Sequence, residues 1–186
     1  MAVSRAASRY VKSLLDLAIE QGRLEEVHRD MLLFDSVCRE NRSFTLMLMN
    51  PIIRHDKKRE ILTRLFSDKV SQLTMAIFDI ITRKNREPLL PEIARGFHRA
   101  YNRYKGIGNA SVVTAVPIDA ELRETFNKIA RDISGEKEVE LAERVDSDLI
   151  GGFVLTVGDQ QVDASIRRKL GALKTELSKN PYVKEF

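Results

Sequence analysis

Three histidines, one cysteine and one aspartate pair are the residues of this chain whose types suit catalysis or metal binding. His28, His55 and His98 lie far apart in sequence, and none has a second His or Cys at i+3 or i+4 to make a metal-binding helical face. They read as surface or helix-cap histidines. Cys38, in "FDSVCREN", occupies an apolar helical position, which suits a packed thiol better than a nucleophile. As the single cysteine it excludes an internal disulfide and is compatible with a reducing cytoplasm. Asp146 and Asp148 flank Ser147 like a carboxylate pair. However, "VDSDLIGG" lies between two predicted strands, where Asp and Ser satisfy the backbone groups of a turn.

The stretch "DLIGGFVLTVGDQQVDAS", from Asp148 to Ser165, raises the question of a phosphate loop. Such loops run from a strand into a helix as G-x-G-x-x-G, or end in Gly-Lys-Ser/Thr, so that amide N–H groups converge on the anion. Gly151-Gly152 leads into a strand instead, so a bulge or a close backbone approach explains the pair better. No cofactor or metal is expected, and no catalytic residue emerges.

The elements that hold these residues follow from punctuation and periodicity. Breaks at "EQGR", "ENRS", "MNP" and "REPLLPE" divide the first hundred residues into five or six helices, near 3–20, 23–39, 42–49, 55–66, 69–85 and 90–104. Short connections make them antiparallel neighbours in a bundle. Gly106 and Gly108 then break the helical pattern, and Ala110 to Val116 is a β-branched run, so a domain boundary falls at about 105–108. Asp119 caps a helix carrying Leu122, Phe126, Ile129 and Ile133, and Val139, Leu141 and Val145 take strand-like positions. Two strands join at Gly158-Asp159, and a final helix from about Ser165 carries Ile166, Leu170, Leu173 and Leu177 on one face. The expected fold is mainly α with a small α+β part. A helical bundle over 1–105 precedes a domain over 106–186, built from a small mixed sheet with a hairpin and two helices.

The 186 residues are 43% hydrophobic, enough for ordinary cores, and contain no internal repeat or low-complexity tract. The 31 Lys+Arg and 27 Asp+Glu are interspersed, so the net charge of +4 describes a solvated surface more than a nucleic-acid stripe. The pI near 9.2 still admits an acidic partner or an anionic membrane surface. A basic nucleic-acid-binding module is therefore the rival reading, although aromatic residues are only 6% and form no stacking platform. No apolar run approaches the ~20 residues that span a bilayer. Lys12 and Asp16 interrupt any signal-peptide core, and the start reads as a soluble, unprocessed segment.

Two helices carry more apolar surface than one core contact uses. On the first, Ala6, Ala7, Tyr10, Val11, Leu14, Leu15, Leu17, Ala18 and Ile19 fill an arc of about 220°. On the fifth, Val70, Leu73, Ala76, Ile77, Phe78, Ile80 and Ile81 fill about 200°. Either both helices are central in the bundle, or their excess arcs form a groove for a partner's amphipathic helix. Periodicity alone favours central packing.

Four segments, in order, resemble the delta subunit of bacterial rotary ATP synthases, a family related to the mitochondrial oligomycin-sensitivity-conferring protein. "SRYVKSLLDLA" is similar to that family's opening helix, and "NPIIRHDKKREILTRLF" to its Asn-Pro turn and following helix. "RKNREPLLPEIARGFHRAYNRYKG" resembles its interdomain passage, and "LIGGFVLTVGDQQVDASIRRKL" its C-terminal signature. Ser13 departs from a usual small apolar residue, and Ala164 stands where the family commonly has glycine.

The resemblance implies a stator component with no reaction of its own, at the cytoplasmic face of the bacterial inner membrane and attached only through its complex. A six-helix bundle would bind N-terminal segments of the alpha subunits between its first and fifth helices, and the C-terminal domain would meet the peripheral-stalk b subunits. By carry-over, Tyr10, Ser13, Leu14, Leu17, Ile77, Ile80 and Ile81 are groove candidates. Gly151, Gly152, Gly158, Asp159, Asp163, Arg167 and Arg168 are partner-binding or structural candidates in the signature. Since the arcs name the same two helices, the resemblance tips the balance toward the groove.

Overall fold

The computed structural model describes residues 4–178; the first residues of the predicted opening helix and the C-terminal "KNPYVKEF" lie outside the described residues. The chain divides into two compact units, Met1–Tyr104 and Lys105–Phe186. It is mainly helical, with one four-stranded mixed sheet.

The helices that build the first unit are α1 (Arg5–Glu20), α2 (Leu24–Glu40), α3 (Arg42–Met49), α4 (His55–Phe66), α5 (Gln72–Arg83) and α6 (Leu90–Lys105), the last ending at the boundary. Caps set several starts. The side chains of Ser4, Asn41 and Ser71 accept from the N–H groups of Ala7, Phe44 and Thr74, each satisfying a donor that the first helical turn leaves unpaired. The Ser71 cap shortens α5 from the expected 69–85, because Ser71 is extended and Lys69 and Val70 turn back to the Phe66 carbonyl.

Phe34, Phe44, Phe66 and Phe78 bring α2, α3, α4 and α5 together, with ring centroids 4.8 to 6.0 Å apart. Such tilted and edge-on pairs suit the aromatic quadrupole and exclude water. One charged side chain buried here, that of Lys58, is paired. Lys58 of α4 donates to the Leu48 carbonyl at 2.9 Å and to Glu87 at 2.5 Å, in the 3-10 turn Glu87–Leu89 before α6.

The second unit runs β1 (Ile107–Thr114), α7 (Ala120–Ser134), β2 (Glu138–Val145), β3 (Phe153–Val157), β4 (Gln160–Asp163) and α8 (Ile166–Ser178). The sheet order is β2-β1-β3-β4. β1 and β2 are parallel, Ile107 opposite Glu138, which requires the crossover that α7 supplies. β3 runs antiparallel to β1, with Val112 opposite Leu155 and Ala110 opposite Val157. Those four side chains, with Phe126 and Ala130 of α7, form the core, and the Phe153 ring meets Phe126 edge-on at 4.9 Å.

β1 begins three residues before the expected Ala110 and stops before Val116. Gly108 lies inside the strand, where an added Cβ would sit 3.3 Å from Ser134 Oγ and from Val139 Cγ2, so that a side chain there would make these neighbours give by a few tenths of an ångström. At the other end, Thr114 Oγ1 donates to the Val116 carbonyl and closes a turn ahead of Pro117.

Candidate docking surfaces

On α1 the buried residues are Ala7, Val11, Leu14 and Ala18, steps of four, three and four that share one narrow stripe. The 220° arc is therefore only partly covered. Tyr10, Ser13 and Leu17 lie together on one flank of the stripe; Tyr10 is half-buried, and Ser13 and Leu17 are exposed. On α5 the buried side is Thr74, Ile77, Phe78, Ile81 and Thr82, leaving Leu73, Ala76 and Ile80 on a flank beside Ile77. Leu17 and Ile80 are 38% and 45% exposed, so a part of each apolar arc lies outside the unit's own packing.

α1 and α5 both pack on α2. Beside the Phe34–Phe78 contact, the α5 attachment has a polar part: Asp30 of α2 accepts from the Ser71 N–H and the Thr74 hydroxyl, both at 2.8 Å, and so caps α5 from outside the helix. α1 is fixed at two places. Its Ser4 hydroxyl donates to Glu92 of α6 at 3.0 Å, and Arg86, just beyond α5, donates to the Tyr10 hydroxyl at 3.2 Å with its guanidinium 5.9 Å from the ring centre.

These positions divide the seven groove candidates. Tyr10, Ser13, Leu17 and Ile80 stand on accessible flanks. Leu14, Ile77 and Ile81 are buried, and their faces of α1 and α5 serve the unit's own packing. Arg86 had no sequence signal as a neighbour of Tyr10, because it lies 76 residues away. The unit around these flanks is basic, with 19 Lys+Arg and 13 Asp+Glu in residues 1–104, whereas residues 105–186 hold 12 and 14.

In the second unit several signature residues shape the chain's own turns and junctions. A Cβ on Gly151 would lie 2.6 Å from Ile166 Cδ1; one on Gly152, at φ +77°, would lie 2.4 Å from the Ala164 carbonyl oxygen. The glycines let this loop close on the start of α8, where the Ile166 N–H donates to the Gly151 carbonyl at 2.9 Å. Ile150, immediately before them, is exposed with φ +66°, a costly conformation for a β-branched residue. Gly158 and Asp159 make the two-residue β3–β4 turn, with Gly158 at φ +56°. Asp163 accepts from the Ser165 N–H at 2.9 Å, which holds its carboxyl below the ordinary 3.8, and the Arg168 side chain donates to the Asp163 carbonyl. Arg167 is exposed.

The residues suited to chemistry assemble no reaction centre among the described residues. Asp146 accepts from the Asp148 N–H at 3.0 Å, the expected turn contact. Burial raises the Cys38 thiol to about 11. The histidines need one correction: His28 Nε2 and His98 Nδ1 meet at 2.9 Å, and His28 stacks on Tyr101 with centroids 3.6 Å apart, so these two are a tertiary contact between α2 and α6 and not separate surface groups. No group of three or more His, Cys, Asp or Glu among the described residues could hold a metal ion, and no described helix is long and apolar enough to cross a membrane.

The family model for the ATP synthase delta (OSCP) subunit matches residues 6–177. The chain belongs to that family. It is 40% identical to ATP synthase subunit delta of Cytophaga hutchinsonii over 96% of this chain and 97% of the other. It is 31% identical to the chloroplastic ATP synthase delta chain of Chlamydomonas reinhardtii, over 94% of this chain and 80% of that one. Its fold matches a chain of the Toxoplasma gondii mitochondrial ATP synthase hexamer with a TM-score of 0.75 at 21% identity, covering 94% of this chain and 98% of that chain.

Proposed function

We propose that this protein is the non-catalytic stator subunit of a proton-translocating ATP synthase, joining the catalytic head to the peripheral stalk so that the head does not turn with the rotor. Residues 1–105 act as a six-helix bundle that receives N-terminal segments of the alpha subunits. Residues 106–186 act as the domain that meets the stalk b subunits, peripherally at the cytoplasmic face of the bacterial inner membrane. The observation that carries this reading is the family match across almost the whole chain, joined to uncovered apolar flanks on α1 and α5.

The work of such a subunit is attachment that outlasts many turnovers, so the relevant physics is burial and slow release. A partner helix laid along Tyr10, Leu17, Leu73, Ala76 and Ile80 over a standard interface of about 1,200–2,000 Å² provides this if a few apolar anchors are fully desolvated. The basic surroundings favour a segment with acidic residues. The nucleic-acid alternative gains no support from the matches named above, which are to ATP synthase subunits or complexes.

The test is calorimetric titration of the full chain, and of its Leu17→Asp and Ile80→Asp variants, with an alpha-subunit N-terminal peptide. Both side chains are more than a third exposed, and helicity and unfolding midpoints report whether each variant folds; loss of binding is expected in each. Unchanged affinity in both would reject the groove.

A further inference from the structure

α2 and α6 exchange a run of polar contacts that the docking surfaces do not use. At one end the Tyr101 hydroxyl of α6 donates to Glu25 of α2 at 2.6 Å. In the middle His28 Nε2 meets His98 Nδ1 at 2.9 Å, with the two imidazole planes 8° apart and the His28 ring stacked on Tyr101. Arg95 of α6 lies 3.9 Å from Asp35 of α2 at the other end. Both histidines are half-buried.

A bond between two imidazole nitrogens needs one N–H and one bare nitrogen. Two neutral rings satisfy this, and so do one neutral and one protonated ring. Two protonated rings do not: each would present an N–H to the other, and two cations would face each other across 2.9 Å. Histidine ordinarily changes charge between about pH 5 and 8, so mild acid delivers the second proton. The charged groups around the pair act in both directions. Glu25 and Asp35 from α2 favour a cation and Arg95 from α6 opposes one, while Arg29 and Arg99 directly follow the two histidines in sequence and Lys105 stands two turns beyond His98 on the same side of α6. Asp30, on the next turn of α2, is committed to Ser71 and Thr74 of α5, and Glu92 of α6 to Ser4. None of these supplies the bare nitrogen that a doubly protonated pair lacks. The unfolded chain takes both protons and the bonded pair takes at most one, so below neutral pH the unfolded state binds more protons and stability falls as pH falls.

We propose that His28 and His98 form an acid-sensitive clasp, which holds α6 on α2 while the pair carries no proton or one shared proton and opens when the second arrives. Because Glu92 of α6 also holds the Ser4 hydroxyl, opening the clasp loosens the start of α1 as well. The clasp is a property of the first unit by itself and does not depend on the stator reading.

Native-state amide exchange of the full chain, expressed as protection relative to an unstructured peptide, reads the clasp in residues 90–101. A difference of one bound proton changes an opening constant by up to about tenfold per pH unit, so the parent chain is expected to lose about tenfold in protection there between about pH 6 and pH 5. His28→Gln and His98→Asn each place an amide near the lost ring nitrogen, which pairs with the remaining imidazole in either charge state, and the loss should shrink to less than about twofold. His55 of α4, beside Asp56, is common to all three chains and cancels in the comparison. Unfolding midpoints at about pH 7.5 report whether each variant folds. Ring-nitrogen NMR of the parent chain needs no variant: a nitrogen–nitrogen coupling between His28 and His98 is expected at about pH 7.5 and should vanish by about pH 5. A coupling that persists in acid, or that is absent at both pH values, overturns the clasp. So does protection that holds in the parent chain, or that falls equally in all three.

Discussion

Lys58 Nζ lies 2.5 Å from Glu87 Oε1, with the two side chains 1% and 6% exposed. The contact joins α4 to the turn before α6, and the second Lys58 bond, to the Leu48 carbonyl, adds the end of α3. Glu87 Oε2 has no hydrogen-bond partner, so the pair is buried without being fully satisfied. Removing one partner leaves a charge in the interior, and Lys58→Met is expected to destabilise the first unit by about 3–5 kcal/mol. The double variant Lys58→Met, Glu87→Leu should recover most of that loss. Urea unfolding of the four chains of this cycle measures it, and a double variant as unstable as the single one would contradict it.

Gly152 and Gly158 both have positive φ, but only Gly152 is enclosed. Gly158→Ala adds left-handed strain of about 1–2 kcal/mol and no contact. Gly152→Ala adds the same strain and also forces the loop away from the Ala164 carbonyl and the start of α8. The expected order of melting temperatures of the second unit is parent, Gly158→Ala, Gly152→Ala. Equal losses would mean that the close approach has no energetic weight.

The Cys38 thiol, held near 11 by burial, is about 0.1% thiolate at pH 8. A thiol-reactive chromophore should therefore label the native chain only slowly and label it at once in denaturant. Rapid labelling of native protein at pH 8 would show that α2 opens readily around this residue.

Asp163 sets an acid limit on the β4–α8 junction. Its folded value is depressed, first by the Ser165 backbone N–H, so its contribution is present above the unfolded value of about 3.9 and is lost as pH falls through the lower folded value. Glu143, lowered by its hydrogen bond with Arg123, has the same sign, but this exposed pair contributes little. In thermal melts from neutral pH down to pH 2, the parent chain should lose stability more steeply below about pH 4 than Asp163→Asn, which keeps an acceptor oxygen but carries no charge. Parallel profiles would remove Asp163 from the account.

Local chemistry was readable from the sequence, and tertiary neighbours were not. α1 to α4 begin and end within two residues of the expected spans, because Ser4, Asn41 and the Asn50-Pro51 turn act on the backbone next to them. The apolar arcs were correct as composition, but an arc cannot say which part the molecule covers. Carrying over family positions therefore mixed core residues, Leu14, Ile77 and Ile81, with accessible ones, Tyr10, Leu17 and Ile80. Leu73 and Ala76 were legible in the α5 arc and belong with Ile80. The His28–His98 contact joins residues 70 apart and leaves no periodic trace. The glycine pair was read as a bulge or a close backbone approach; the structure has the second, and its partners, Ile166 and Ala164, become visible only in three dimensions.

α8 is fastened at its first turn and borders no core of its own beyond it. Thirteen residues are close to the length at which a lone helix in water is only marginally formed. Under the proposed stator function, the outer half of α8 is expected to gain rigidity when the complex is built. A coupling that must resist torque would then harden at the moment of joining, and its amide protons would exchange with solvent quickly before assembly and slowly after it.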